Sequence, residues 1–212
     1  MSIEQFRSAL VLAPHTDDGE FGCGGTMARL VESGIPITYV AFSTAVRSVP
    51  PDFPADILSR EVREATAVLG IDEAHLRVFD FEVRTFPTFR QDILEAMIAL
   101  NDELHPDCVL MPSLADLHQD HRTVAEEGLR AFKRTTVLGY EIPWNAVTFS
   151  NTAYVELEPR HVDKKVAALA KYRSQQHRNY ASEEYIRNVA LTRGINVGRR
   201  FAEVFEVYRW IL

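Results

Sequence analysis

Short apolar runs alternate with longer amphipathic segments along the first 143 residues of this chain. The runs cover residues 9–14, 37–42, 76–81, 108–111 and 137–142, and several are rich in β-branched and aromatic side chains, which is typical of buried strands. Strands that alternate with helices predict right-handed crossovers and a mostly parallel sheet. Between the runs, apolar residues recur at the spacing of one helix face, as in Leu58, Val62, Ala65 and Leu69.

We therefore predict an α/β fold with a doubly wound, Rossmann-like sheet of strand order 3-2-1-4-5 and helices on both faces. The pattern after residue 143 is less regular, with strands expected within 148–157 and 201–210 and helices between them. No linker separates the two parts. The prediction is one domain over residues 1–212, in which a core of residues 1–143 carries a C-terminal extension, residues 144–212.

Charge and composition exclude several classes of partner. The net charge of -7 disfavours nucleic acid and anionic membranes as partners, and no apolar run approaches the roughly 20 residues that a membrane helix needs. Cys23 and Cys108 are too few for a disulfide framework and are expected to be buried thiols in a reducing compartment. A cytoplasmic location follows as a prediction, whereas the oligomeric state stays open.

The first cluster of reactive side chains follows the first predicted strand directly. His15, Asp17 and Asp18 lie there, and ligands of open α/β sheets bind beyond the carboxyl ends of the strands. Imidazole and carboxylate groups suit zinc or ferrous iron. Two adjacent acids point in different directions, so one can coordinate a metal while the other faces a substrate. The alternative is a loop in which one aspartate caps the next helix.

The second cluster, His118, Asp120 and His121, follows the fourth predicted strand. Helical spacing would put the two histidines on one face, where one binds metal and the other serves acid–base or oxyanion chemistry. Asp120 is expected to brace a histidine. Strands one and four are neighbours in the predicted order, and the crevice of such a sheet opens between them. Both clusters should therefore line one site for a divalent metal.

A glycine-rich segment, Gly22–Gly25, offers a competing interpretation. Such a segment before a helix can cradle a phosphate, which would indicate a nucleotide-binding transferase or oxidoreductase. It does not complete a GxGxxG pattern, and no Walker lysine follows it. A tight turn with close packing of helix on sheet explains the glycines equally. The two polar clusters would also suit a metal-binding module without hydrolase activity, or a metal hydrolase of another class.

The pairing of His-x-Asp-Asp with His-x-Asp-His resembles the PIG-L/LmbE-like de-N-acetylases. Weaker similarities extend over most of the chain, and the segments that carry them are Gly22–Thr26, Arg60 with Glu64, Tyr172–Gln175 and Ala202–Phe205. The resemblance implies a hydrolase that removes the acetyl group of an N-acetylated amino sugar, giving acetate and a free amine.

The same resemblance implies a role for each reactive residue. His15, Asp18 and His121 would hold the metal, which is expected to be Zn²⁺, although Fe²⁺ or another divalent ion would suit the same ligands. Asp17 would be the general base, and His118 would steady the oxyanion or act as an acid. The only partner implied is a small-molecule amino-sugar substrate.

Substrate contacts are expected from the loops after the second and fifth strands. Arg47 follows the second strand and is expected to grip a phosphate or a sugar hydroxyl. Glu141, Trp144 and Asn145 follow the fifth strand, and Trp144 is expected to stack on a sugar face. Surface arginines and packed tryptophans are common, so purely structural roles stay open for these residues.

Overall fold

The structure is a computed structural model that describes residues 3–211, apart from the side chain of Glu4. Seven strands form one sheet in the order β3-β2-β1-β4-β5-β7-β6. The strands are β1 (Ala9–Ala13), β2 (Ile37–Ala41), β3 (Leu76–Val78), β4 (Cys108–Pro112), β5 (Thr136–Tyr140), β6 (Ala153–Leu157) and β7 (Phe201–Arg209).

The first five strands are parallel, which confirms the predicted order 3-2-1-4-5. Strand β7 then pairs antiparallel with β5, and β6 pairs antiparallel with β7 at the edge of the sheet. The C-terminal part of the chain therefore extends the same sheet. A boundary between core and extension at residue 143 stays a prediction.

Helices cover both faces of the sheet. They are α1 (Asp18–Glu32), α2 (Ile57–Leu69), α3 (Arg90–Leu104), α4 (Gln119–Ala131), α5 (Pro159–Leu169) and α6 (Glu183–Ile195). Helices α1, α2 and α5 pack together on one face, whereas α3 and α4 pack on the other. Alternate residues of β1 divide between these layers, because Val11 joins the first core and Leu10 and Leu12 join the second.

The glycine-rich segment lies inside α1, not in a turn before it. The helix begins at Asp18 and kinks at Cys23, where φ is -144° and ψ is 26°. A Cβ at Gly22 would overlap the ring of Tyr140, so the glycine permits close packing of helix on sheet. Glu203 accepts hydrogen bonds from the backbone N–H of Gly25 at 2.9 Å and of the next residue. The carboxylate thus takes the donors that a phosphate would need, which contradicts the nucleotide-binding interpretation.

The two cysteines are both buried and free, as predicted. Of the helices between residues 3 and 211, none combines the length and the apolar composition required to span a bilayer.

The topology places β1 beside β4 at the centre of the sheet, with crossovers that leave in opposite directions. The carboxyl ends of these two strands therefore open the crevice that the sequence predicts.

Candidate metal site and active cavity

The loop after β1 brings His15 and Asp18 together. Asp18 is the first residue of α1, and its Oδ2 atom accepts a hydrogen bond from the backbone N–H of His15 at 2.8 Å. The same oxygen lies 3.0 Å from the Nδ1 atom of His15. A single turn of backbone thus holds one carboxylate oxygen against one imidazole nitrogen.

Helix α4 supplies the third member of this group. The Nε2 atom of His121 lies 3.2 Å from Asp18 Oδ2 and 3.3 Å from His15 Nδ1. The three atoms therefore form a nearly equilateral triangle. Ligands about 2.0–2.1 Å from a tetrahedral zinc ion lie about 3.3 Å from one another, so the triangle has the size that such a site requires.

The outer nitrogens of both histidines face carboxylates. His15 Nε2 lies 3.0 Å from Asp120 Oδ2, and His121 Nδ1 lies 2.8 Å from Asp116 Oδ2. A neutral imidazole that donates from one nitrogen presents a lone pair on the other. The two carboxylates therefore favour the tautomers in which both lone pairs point toward Asp18, as is usual for metal-binding histidines.

His118 differs from the other two histidines in its hydrogen bonding. It is the N-cap of α4, and its Nδ1 atom accepts a hydrogen bond from the backbone N–H of Asp120 at 3.2 Å. The neutral ring must then carry its proton on Nε2, so this nitrogen is a donor. His15, His118 and His121 each offer a nitrogen within 4.8 Å of the others, so the histidine cluster could hold a divalent ion. The hydrogen bonding favours Asp18, not His118, as the third ligand.

The pKa values of Asp17 and Asp18 are shifted in opposite directions. Burial, reinforced by the charge of Asp18, raises the pKa of Asp17 to about 6. Burial also acts to raise the pKa of Asp18, but the charges of His121 and His15 outweigh it and hold that pKa well below its usual range. Asp18 therefore stays ionised, whereas Asp17 titrates close to neutral pH.

The pKa values of the three histidines are also shifted in different directions. Burial acts to lower the pKa of His15 and of His121, but Asp18 and the hydrogen-bonded carboxylates outweigh it and raise these pKa values to about 8 and about 10. Burial and the charges of His121 and His15 lower the pKa of His118 to about 4. His118 is therefore neutral at pH 7, contrary to the protonated form that oxyanion catalysis often uses.

A cavity of about 290 Å³ opens over these residues. Trp144 and Tyr180 stack in one wall, with ring centroids 3.9 Å apart and planes 10° from parallel, and Phe21 meets Trp144 edge-on. The lining comprises His15, Thr16, Asp17, Asp18, Phe21, Ala45, Ser48, Leu58, Val83, Arg84, His118, His121, Trp144, Asn145, Gln175, Arg178 and Tyr180. Segments that follow all five parallel strands, together with the C-terminal extension, thus close around the metal site.

Two predicted substrate residues lie outside this lining. Arg47 is exposed and forms an ion pair with Glu82. Glu141 is buried and forms a bidentate ion pair with Arg193 of α6, with a Nε–Oε2 distance of 2.9 Å. The ion pairs of Arg47 and Glu141 therefore connect neighbouring loops and helices.

The structure adds residues that the sequence interpretation missed. Asp116 braces His121, and its position two residues before His118 in a strand-end loop could have indicated this role. Arg84 and Arg178 line the cavity, although no motif surrounds either. Glu61, not Arg60 or Glu64, is the buried residue of its helix that accepts hydrogen bonds from Ser174, at 3.0 Å from the backbone N–H.

Comparisons with known proteins identify relatives of this chain. The family model described as PIG-L, GlcNAc-PI de-N-acetylase, matches residues 10–132. The diacetylchitobiose deacetylase of Thermococcus kodakarensis is 28% identical over 221 residues, which cover 93% of this chain and 81% of the relative.

Solved structures share the fold across almost the whole chain. The N,N'-diacetylchitobiose deacetylase of Pyrococcus horikoshii has a TM-score of 0.80 at 20% identity, covering 96% of this chain and 84% of that one. GalB, the 4-carboxy-2-hydroxymuconate hydratase of Pseudomonas putida KT2440, has a TM-score of 0.79 at 23% identity, covering 97% and 98%. The fold therefore accommodates a hydratase as well as deacetylases, and the chemistry must be argued from the site.

Proposed function

Because the chain belongs to the PIG-L family of GlcNAc-PI de-N-acetylases, we propose that it is a metal-dependent hydrolase of N-acetylated amino sugars. The observation that carries the proposal is the convergence of His15 Nδ1, Asp18 Oδ2 and His121 Nε2 within 3.0–3.3 Å of one another. Asp17 lines the same cavity and titrates near neutral pH, which suits a general base.

We propose that these three atoms hold one Zn²⁺ ion. Two imidazoles and one carboxylate form a donor set common in catalytic zinc sites, although ferrous iron accepts the same set. A divalent ion held there would polarise the acetamide carbonyl and lower the pKa of a water molecule toward about 7. Asp120 and Asp116 fix the two imidazoles from outside the site.

The remaining residues move protons and stabilise charge. Asp17 accepts the proton of the attacking water, because its carboxylate faces the cavity and is ionised above about pH 6. As the carbonyl carbon becomes tetrahedral, negative charge builds on its oxygen. His118, which the backbone of Asp120 holds as a neutral Nε2–H donor, is suited to stabilise that oxygen by a hydrogen bond. Protonated Asp17 then returns a proton to the leaving amine.

The wall of the cavity suits a sugar. Trp144 is about one-third exposed at 36%, and it presents an aromatic surface beside Asn145, which offers polar groups. Apolar contact with ring carbons and hydrogen bonds to hydroxyls are how concave sites hold carbohydrates. We retain the sequence-based predictions of a cytoplasmic location and of no nucleic-acid partner.

The test is acetate release from a panel of N-acetylated amino sugars and their glycosides, measured by mass spectrometry on zinc-loaded protein. We expect equimolar acetate and free amine from at least one substrate, and no turnover after chelation of the metal. Asp17→Asn should keep its zinc and lose about 10²–10⁴-fold in rate. Asp52→Asn removes an exposed carboxylate from the loop after β2 and serves as the matched control.

The assay must distinguish hydrolysis from hydration, because a hydratase shares the fold. Release of acetate identifies cleavage of an amide, whereas addition of water to a double bond leaves the acetyl group in place. A zinc-loaded protein that releases no acetate from any member of the panel would contradict the proposal.

A further inference from the structure

Arg84 and Arg178 line the cavity without a carboxylate partner among residues 3–211. Most other arginines of the chain form ion pairs, as Arg47 does with Glu82. Arg84 makes one side-chain contact, from Nη2 to Ser48 Oγ at 3.4 Å. A guanidinium has five N–H donors, so most of the donors of Arg84 are available to a ligand.

The backbone at Arg84 holds an unfavourable conformation for an arginine. Its φ of 71° lies in the left-handed region that favours glycine. Asp120 maintains this conformation by accepting the backbone N–H of Arg84 at 2.6 Å and that of Phe86 at 3.2 Å. Glycine would relieve the strain but remove the guanidinium. Strained residues of this kind cluster at binding and catalytic sites, and Ala45, with φ of 49°, also lines this cavity.

Arg178 is held against the aromatic wall. Its Nε atom donates to Gln175 Oε1 at 2.8 Å, its Nη1 atom contacts the hydroxyl of Tyr180, and its guanidinium lies 5.6 Å from the centre of that ring. None of these partners carries a formal negative charge at neutral pH. The side chain is therefore positioned in advance. It forms no ion pair at contact distance among the described residues, although its charge is near enough to Asp17 to act against the rise in the pKa of that carboxyl group.

From these observations we propose that the substrate carries an anionic oxygen group, a carboxylate or a phosphate, that Arg84 and Arg178 bind. This inference rests on the proposed function, because it describes a second part of the same acetylated substrate. Arginine binds such groups through paired, charge-assisted hydrogen bonds. The arginines enter from different segments, the loop after β3 and the segment between α5 and α6, so the anion lies in the cavity between them.

The test compares substrates that differ only in charge. The carboxymethyl glycoside of N-acetylglucosamine carries a carboxylate, and its carbamoylmethyl analogue carries a neutral amide of similar shape. N-acetylglucosamine 1-phosphate, set against the methyl glycoside, distinguishes phosphate from carboxylate as the preferred group. We expect kcat/KM for one acid to exceed that of its neutral partner by at least about 10-fold, mainly through KM.

Variants then assign the preference to residues. Arg84→Gln and Arg178→Gln should each lower kcat/KM for the acid about 10-fold, which removes most of the preference, and change hydrolysis of the neutral analogue much less. Arg134→Gln is the matched control, because it removes an exposed charge just before β5, at the opposite end of the strands. Equal kcat/KM for acids and neutral analogues, or a preference that survives both substitutions, would overturn the inference.

A binding measurement separates this inference from the proposed function. Calorimetry on zinc-loaded Asp17→Asn protein reports the Kd of each acid and its neutral analogue without turnover. If no substrate releases acetate, the proposed function fails, but a charge preference in Kd that disappears in Arg84→Gln still supports the anion site. If acetate is released and Kd shows no charge preference, only the anion site is wrong.

Discussion

Asp120 is the residue whose removal tests the architecture of the site most directly. Its side chain is fully buried, and its Oδ2 atom lies 3.0 Å from His15 Nε2 and 2.6 Å from the backbone nitrogen of Arg84. The other oxygen accepts from the backbone N–H of Phe86 at 3.2 Å. One carboxylate therefore orients a metal ligand and fixes the loop that carries Arg84.

Asp120→Ala removes three acceptor contacts at once. A buried donor without a partner costs about 1–3 kcal/mol. The N–H of Phe86 is buried and bears the full penalty, whereas the partly buried N–H of Arg84 can bond to water. We therefore expect the free energy of unfolding of metal-free protein to fall by about 1–3 kcal/mol. Loss of a carboxylate that braces a metal-binding histidine typically costs about 10–100-fold in metal affinity.

Urea unfolding measures the first quantity, and competition with a chromogenic zinc chelator measures the second. Leu100→Ala is the control, because it truncates a buried side chain of α3 and should cost about 2–5 kcal/mol without touching a ligand. The control should lose stability and keep its zinc affinity. An Asp120→Ala protein that binds zinc as tightly as the parent would refute the claim that this carboxylate orients His15.

Three further predictions concern the metal, the base and a buried acid. His121→Ala should lose zinc by elemental analysis, whereas His118→Ala should keep it and lose turnover; the reverse result would make His118 the ligand. The rate should fall as pH decreases through about 6, because the pKa of Asp17 is raised to about 6 and the base must be ionised, and Asp17→Asn should lack this dependence in a pH–rate profile. Burial raises the pKa of Glu20 to about 8. Between about pH 5 and 8 the Glu20 carboxyl is therefore protonated in the folded metal-free protein and ionised in the unfolded chain. The contribution of this group to the free energy of unfolding thus falls as the pH rises. In urea unfolding, the stability of Glu20→Gln relative to the parent should therefore increase by up to about 1.4 kcal/mol per pH unit across this range. A stability difference between variant and parent that does not change with pH would show that Glu20 is ionised in the folded protein.

The parallel part of the sheet could be predicted because its strands are short and buried on both faces. Strands β1, β2, β4 and β5 lie under helices on each side, so every residue in them is buried and their sequences are largely apolar. Their order then follows from the handedness of the crossovers. The strand order brings the two polar clusters together, which is why the metal site could be predicted before any contact was known.

The start of α1 could not be predicted, because the glycine-rich sequence near its N-terminus indicates a turn instead of a helix. The segment Gly22–Gly25 is typical of a turn, yet it lies within the helix and departs from helical φ/ψ at Cys23. Glycine is needed there because Tyr140 and Leu157 occupy the space that side chains at Gly22 and Gly25 would fill. Glu203 supplies hydrogen-bond acceptors to backbone donors at the kink from more than 170 residues away. Propensity describes the local cost of glycine in a helix, and these distant contacts offset it.

The role of Arg84 in the candidate site could not be predicted either, because it too depends on contacts between residues distant in sequence. Sequence spacing made Arg47 the candidate for substrate binding, because it follows a strand at the correct edge of the sheet. Which arginine reaches the cavity depends on the left-handed turn at Arg84, and Asp120 holds that turn from 36 residues along the chain. The same Asp120 oxygen faces His15, so the loop and the metal site share one support. A substitution that shifts this loop should therefore alter both the zinc affinity and the preference for anionic substrates, although no residue of the loop is a proposed metal ligand.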